Sequence, residues 1–163
     1  MKCKFEEVKI EHLNRLLCIY NVYTGKGYST LYEKEFTEEQ LKNFLFFNNS
    51  KYKSFTIFAD NTIIGFVSLA KYKNNSAYDN SAEVAVYLHP DYIHKGFGKS
   101  ALIFIEEYAK TKNIHSLIAT ICLDNVDSIK LFESSGYQRC AHFFEVAKKF
   151  GKYLDIINYQ KIL

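Results

Sequence analysis

The sequence predicts a mixed α/β fold: a mostly antiparallel central sheet of about seven strands, flanked by about four helices. Three observations carry this expectation. Runs of strand period, joined by short turns, fill the middle of the chain between residues 54 and 88. Runs of helix period lie on both sides of them. One later run, His115 to Leu123, is apolar throughout, as strands buried on both faces are.

Lys4 to Ile10 reads as a short first strand, and Glu11 to Tyr23 places Leu13, Leu16, Leu17 and Tyr20 along one helical face. A capping box follows. Thr37 stands three residues before Gln40, so each side chain can satisfy the other's backbone N–H and open a second helix carrying Leu41, Phe44 and Leu45. Ser54 to Ala59 alternates, Asp60-Asn61 makes a tight turn, and Thr62 to Tyr72 runs back. Lys73 to Asn80 is polar and loop-like, and Ser81 to Leu88 is the next strand. Connections this short join antiparallel neighbours, so the three strands form a meander. Gly98 to Lys112 is helical, with Leu102, Ile105 and Ala109 in one stripe. After the apolar strand, Asp124 or Asn125 caps a short helix that Gly136 ends. Gln138 to Val146 and Tyr153 to Ile162 are the last strands. The order is β-α-α-β-β-β-α-β-α-β-β, without an internal repeat.

A length of 163 residues and a single proline, Pro90, favour one domain over residues 1–163. Twenty-one basic against eighteen acidic residues leave a net charge of +3, too small and too dispersed for a nucleic-acid stripe. Lys51, Lys53, Lys148, Lys149 and Lys152 read as a solvated face. The four cysteines have neither Cys-x-x-Cys spacing nor paired histidines, so no metal site is expected; Cys18 and Cys122 read as small core residues. The start lacks a signal-like apolar stretch, and no run reaches the roughly 20 apolar residues a membrane helix needs. A soluble, cytoplasmic protein without membrane contact is the expectation.

Ile93-His94-Lys95-Gly96-Phe97-Gly98-Lys99-Ser100 joins a strand to a helix. Glycines let the backbone turn sharply, and the free N–H groups of a helix start attract phosphate. A plain flexible turn is the bland alternative. A P-loop needs glycine five residues before Gly98, where Ile93 stands. A dinucleotide domain is satisfied by Gly96, Gly98 and Ala101, but that loop belongs after a first strand and precedes an acidic residue about twenty positions on, where Ile118 stands.

The loop resembles the pyrophosphate loop of the GCN5-related N-acetyltransferases, Gln/Arg-x-x-Gly-x-Gly/Ala, with Ile93 in the first position. Other stretches narrow the resemblance to the phosphinothricin and methionine-sulfone branch: Ile19-Tyr20-Asn21, Ala77-Tyr78-Asp79, Ala82-Glu83, Val86 to Pro90, Asn125 to Tyr137 and Phe150 to Asp155. The resemblance implies an acetyl-CoA-dependent enzyme that acetylates the primary amine of a small, amino-acid-like molecule, and a homodimer. It implies that the backbone of Val86, Tyr87 and Leu88 pairs with the pantetheine arm and that Asn125 and Ser128 lie along it. His94, Lys95 and Lys99 supply positive charge in place of the missing Gln or Arg.

Amine acetylation needs a neutral amine, and Glu83 is the candidate base. Alternation sets it with Ala85 and Tyr87 on one face of its strand, opposite Val84, Val86 and Leu88. The bland alternative is a carboxylate on a solvated sheet face; the resemblance implies a base acting through water. Relatives carry Tyr or His where Phe132 stands, and phenylalanine donates no proton, so Phe132 reads as core beside Val126 and Ile129. Tyr72, Lys73 and Tyr78 are the substrate-side candidates by the same resemblance, but Asn75 replaces the branch's arginine, and a lone Lys73 is equally a solvated loop residue. Two other readings stay open: acetylation of a protein amine, and a catalytically weak acyl-CoA sensor, against which Glu83 speaks.

Overall fold

The computed structural model describes residues 3–163. Its elements are β1 (Cys3–Glu7), α1 (Leu13–Thr24), α2 (Glu38–Leu45), β2 (Lys53–Ala59), β3 (Thr62–Lys71), β4 (Ser81–Leu88), α3 (Phe97–Thr111), β5 (Ser116–Cys122), α4 (Val126–Ser134), β6 (Gln138–Lys149) and β7 (Lys152–Ile162). Seven strands form one sheet in the order β1-β2-β3-β4-β5-β7-β6. Every neighbouring pair is antiparallel except β4 with β5. This is the mixed, mostly antiparallel α/β sheet expected.

Helices cover both faces of the sheet. On one, Leu102, Ile105 and Ala109 of α3 pack with Val67, Leu69, Val84 and Leu117. On the other, Leu13, Leu16 and Tyr20 of α1 meet Leu41 and Leu45 of α2 over Phe66. The capping box is present: Gln40 N–H donates to the Thr37 hydroxyl, and Thr37 N–H to the Gln40 amide oxygen at 2.8 Å. Gly65 faces Leu88 across the β3–β4 pair, next to a one-residue register shift at Ile57/Phe58. A Cβ at Gly65 would sit 2.1 Å from the Tyr87 carbonyl oxygen, so only glycine lets these strands approach.

The structure corrects several details. β1 stops at Glu7, and Ile10–His12 is a 3₁₀ turn rather than strand or α-helix, because pairing with β2 runs out at Glu7↔Phe55. Cys18 is exposed, since it lies across the helix from the Leu16–Ile19–Tyr20 face; Cys122 is buried as expected. Asn125 is the α4 cap, accepting from Ser128 N–H at 3.2 Å, and Gly136 leaves that helix at φ 86°. β6 runs on to Lys149 because bulges, with Glu145 at φ 50°, re-register it against β7. Val126 is exposed, so Phe132 packs instead edge-on to Tyr137 at 4.9 Å.

Candidate active site

β4 and β5 pair at only three positions, Ser81↔Ser116, Ala82↔Leu117 and Glu83↔Ile118, and then diverge. β4 stays bonded to β3 as far as Leu88↔Gly65, and β5 stays bonded to β7 as far as Cys122↔Ile156. The sheet therefore forks, and each strand turns one row of backbone N–H and C=O groups across the opening. A cavity of about 630 Å³ fills it, walled by residues 84–88 of β4 and 119–122 of β5. Backbone polar groups in such a cleft call for partners. An extended ligand with its own amides fits between them.

At one rim the backbone passes through left-handed conformations at His94 (φ 58°) and Gly96 (φ 85°) into α3. Gly96 is the N-cap, and its carbonyl accepts from Ser100 N–H at 3.0 Å. The N–H groups of the first turn have no acceptor inside the helix, which suits this rim to an anion. Gly98 lets α3 press on α4: a Cβ there would lie 3.0 Å from a Leu131 methyl. His94, Gly96, Gly98 and Lys99 line the cavity, joined by Lys130. His94 Nε2 lies 3.5 Å from an Asp127 carboxylate oxygen. Lys95, Phe97 and Ser100 do not line it. Lys95 lies over the Tyr92 ring, the Phe97 ring is buried in the core, and the Ser100 hydroxyl donates back to Gly96.

Glu83 stands at the apex of the fork, half-buried and facing the cavity from the last β4 position still paired to β5. Tyr87 shares its face. Burial, and then the neighbouring Tyr20 and Glu83, push the Tyr87 phenol far above its ordinary value of 10.0, so it remains protonated. Its hydroxyl donates to the Ser29 carbonyl at 3.4 Å. Val86 and Leu88 complete the β4 wall, and Asn125, Ser128 and Phe132 line the α4 side. Tyr72, Lys73 and Tyr78 gather on the β3–β4 connection outside the cavity lining, with Lys73 Nζ 5.2 and 4.9 Å from the two ring centroids. Asn75, in the arginine's place, caps the Ser76–Tyr78 turn through Ala77 N–H at 2.9 Å. Among the described residues no group of His, Cys, Asp and Glu could hold a metal ion, and no helix is long and apolar enough to cross a membrane.

Sequence reasoning passed over the connection at 25–36, whose residues Tyr28 to Tyr32 roof the cavity. The legible signal was its aromatic content, Tyr28, Tyr32 and Phe36, following Tyr20 and Tyr23 of α1 in quick succession. Tyr23 of α1 donates to the Leu88 carbonyl at 2.5 Å, and burial pushes its phenol up to about 12. The roof is pinned from behind by Lys149, which is wholly buried rather than part of a solvated face. Its ammonium donates to the carbonyls of Gly27 (3.0 Å) and Thr30 (2.7 Å), and burial lowers its pKa. Lys149→Met would strand those acceptors, so stability should drop by about 1–3 kcal/mol in urea unfolding. The Michaelis constant for the amine should rise while that for acetyl-CoA holds.

A forked sheet with a helix start at one rim is the arrangement that a phosphate-bearing carrier with an amide arm would fit. The model of the acetyltransferase (GNAT) family matches residues 13–137, and the chain belongs to that family. It is an acetyl-CoA-dependent N-acetyltransferase. It is 26% identical to phosphinothricin N-acetyltransferase of Streptomyces coelicolor over 157 residues, 94% of this chain and 92% of the relative. Its fold matches a ribosomal-protein-alanine N-acetyltransferase from Brucella melitensis (TM-score 0.89, 27% identity, 98% and 99% of the two chains). It also matches a phosphinothricin acetyltransferase from Sinorhizobium meliloti in complex with acetyl-CoA (TM-score 0.92, 23% identity, 100% and 89%).

Proposed function

We propose that the protein moves the acetyl group of acetyl-CoA to the primary amine of a small molecule, with Glu83 taking the amine's proton directly or through water. The observation that carries this is a carboxylate at the apex of the fork, where β4 leaves β5. The thioester supplies the activated acetyl group. The backbone of Val86 and Leu88 aligns the arm, and the N–H groups at Gly96 to Lys99 take the phosphates. Phe132 offers no proton, so the departing thiolate is protonated by solvent. Release of free thiol from acetyl-CoA with a panel of small amines tests the reading, and a panel without any turnover above hydrolysis counts against it.

Acetylation of a protein N-terminus has one observation in its favour, the likeness to the Brucella enzyme. The roof at residues 28–32 favours a small acceptor, because a polypeptide needs an open groove. The four free cysteines suit a reducing, cytoplasmic setting. A homodimer is supported by the outer strand β6, which exposes Phe143, Phe144 and Val146. Light scattering should return about twice the chain mass of 19.0 kDa, and the chain mass itself would contradict a dimer.

CoA at a hundred times its dissociation constant should stabilise the fold by about 2.7 kcal/mol. Gly98→Asp should abolish that gain, since it sets bulk against Leu131 and a negative charge at the helix start. Calorimetry is the readout; binding of ATP or NAD instead of CoA would overturn the assignment of the rim.

A further inference from the structure

We infer that the acceptor is an alkyl or aralkyl amine without a carboxylate, held between tyrosine rings and Glu83. The inference rests on the acetyl-transfer reading above and narrows it. The cavity has two chemically unlike ends. Its basic side chains, His94, Lys99 and Lys130, all stand on the α3–α4 side, where phosphate is expected. The opposite end, around Glu83, presents Tyr20, Tyr32, Phe44 and Tyr87, from α1, the 25–36 connection, α2 and β4. Among the described residues, no lysine, arginine or histidine lines that end.

The nearby cations are committed elsewhere. Lys149 Nζ is held by two backbone carbonyls behind the roof, and Lys152, bonded to Asp124 at 2.7 Å, lies 5.0 Å over the Tyr28 ring on the β5–β7 side, with Cys122 and Ile156. Lys73 is stacked on Tyr72 and Tyr78 outside the lining. A carboxylate brought into this end sheds water, meets no opposite charge and faces the like charge of Glu83. An ammonium gains on both counts: Glu83 attracts it, and phenol faces bind cations within about 6 Å of the ring centre. An amino-acid-like acceptor would bring its carboxylate to walls that offer it no opposite charge.

The chemistry balances without a further reactant. The bound ammonium gives one proton to the Glu83 carboxylate, and the neutral nitrogen bonds to the acetyl carbon. The carbon–sulfur bond breaks, its electron pair leaving on sulfur. The nitrogen's second proton passes to solvent, and the thiolate takes one up from solvent.

Matched pairs that differ only in the carboxylate test the inference: phenethylamine against phenylalanine, and tyramine against tyrosine, with methionine sulfone beside them. Since the ammonium is the form bound, kcat/KM is compared on total substrate at about pH 7.5, where both members of each pair are mainly ammonium ions. The amine of each pair is expected to be at least about a hundredfold better. Leu31→Arg, at a half-exposed lining position, should shift that ratio at least about tenfold toward the amino acid. Equal or faster turnover of phenylalanine, tyrosine or methionine sulfone overturns the inference. So does a panel in which no amine reacts while calorimetry still registers CoA binding. Failure of CoA itself to bind would instead remove the acetyl-transfer reading on which the inference rests.

Discussion

Glu83→Gln is expected to lower the turnover number by about 10²–10⁴ at neutral pH, the usual worth of a positioned general base. Glutamine keeps the shape and can still hydrogen-bond, but it accepts no proton from an ammonium. The acetyl-CoA Michaelis constant should hardly move, because the proposed binding mode sets the arm along the β4 backbone and the phosphates at the α3 rim, away from the apex. Loss of turnover with an unchanged constant for the cosubstrate marks an interaction made in the chemical step. Raising the pH should restore part of the rate, since solvent then delivers neutral amine. Phe132→Tyr is the control: with solvent protonating the thiolate, it should change turnover little. Near-normal turnover in Glu83→Gln, with a tenfold gain in Phe132→Tyr, would sink the mechanism. The structure leaves few substitutes for Glu83. Tyr78 lies outside the cavity lining, and His142 is tied to Asp155 at 2.7 Å on the β6–β7 hairpin. Tyr87 is held protonated by burial. Solvent would then be the base.

Gly65→Ala should be the most damaging single methyl in the protein. Its Cβ would lie 2.1 Å from the Tyr87 carbonyl oxygen and 3.0 Å from the Leu88 Cα, both backbone atoms with no rotamer to move into. Over-packing ordinarily costs about 1–3 kcal/mol when side chains yield, and here β3 and β4 must separate instead. A loss of at least about 3 kcal/mol is expected, which for a chain of this size lowers the melting temperature by roughly 6–12 °C. Gly98→Ala is the milder comparison, because the neighbouring Leu131 methyls belong to a side chain that can turn. The displaced Leu88 forms part of the cavity wall, so the acetyl-CoA Michaelis constant should rise in whatever Gly65→Ala protein folds. A melting temperature within 2 °C of the parent, by differential scanning calorimetry, would show that the strands give way more easily than their packing implies.

The features legible in the sequence are those whose cause is local. The Thr37–Gln40 capping box, the Asp60-Asn61 turn and the left-handed Gly96 ahead of α3 depend on a few consecutive residues, and each lies where the residues place it. Strand alternation put Glu83 and Tyr87 on one face, and the structure agrees, because side-chain direction in a strand follows from backbone geometry alone. Phe132 was likewise readable as core, although its partner is Tyr137 rather than Val126.

What only the tertiary structure decided depends on groups far apart in the chain. The fork exists because β5 pairs along its length with β7, which comes from the far end of the chain, while β4 stays with β3; neither strand's own residues announce a three-position pairing. Lys149 looked like one of several solvated lysines, but it is buried by the carbonyls of Gly27 and Thr30, more than a hundred residues away. The 25–36 connection carries no period to read, and it becomes the roof of the cavity only because that lysine and Tyr87 hold its backbone. Local sequence sets dihedral preferences and polarity on one turn or one pleat. Burial, charge environment and the identity of the cavity walls are sums over long-range neighbours, and they come into being only when the sheet closes.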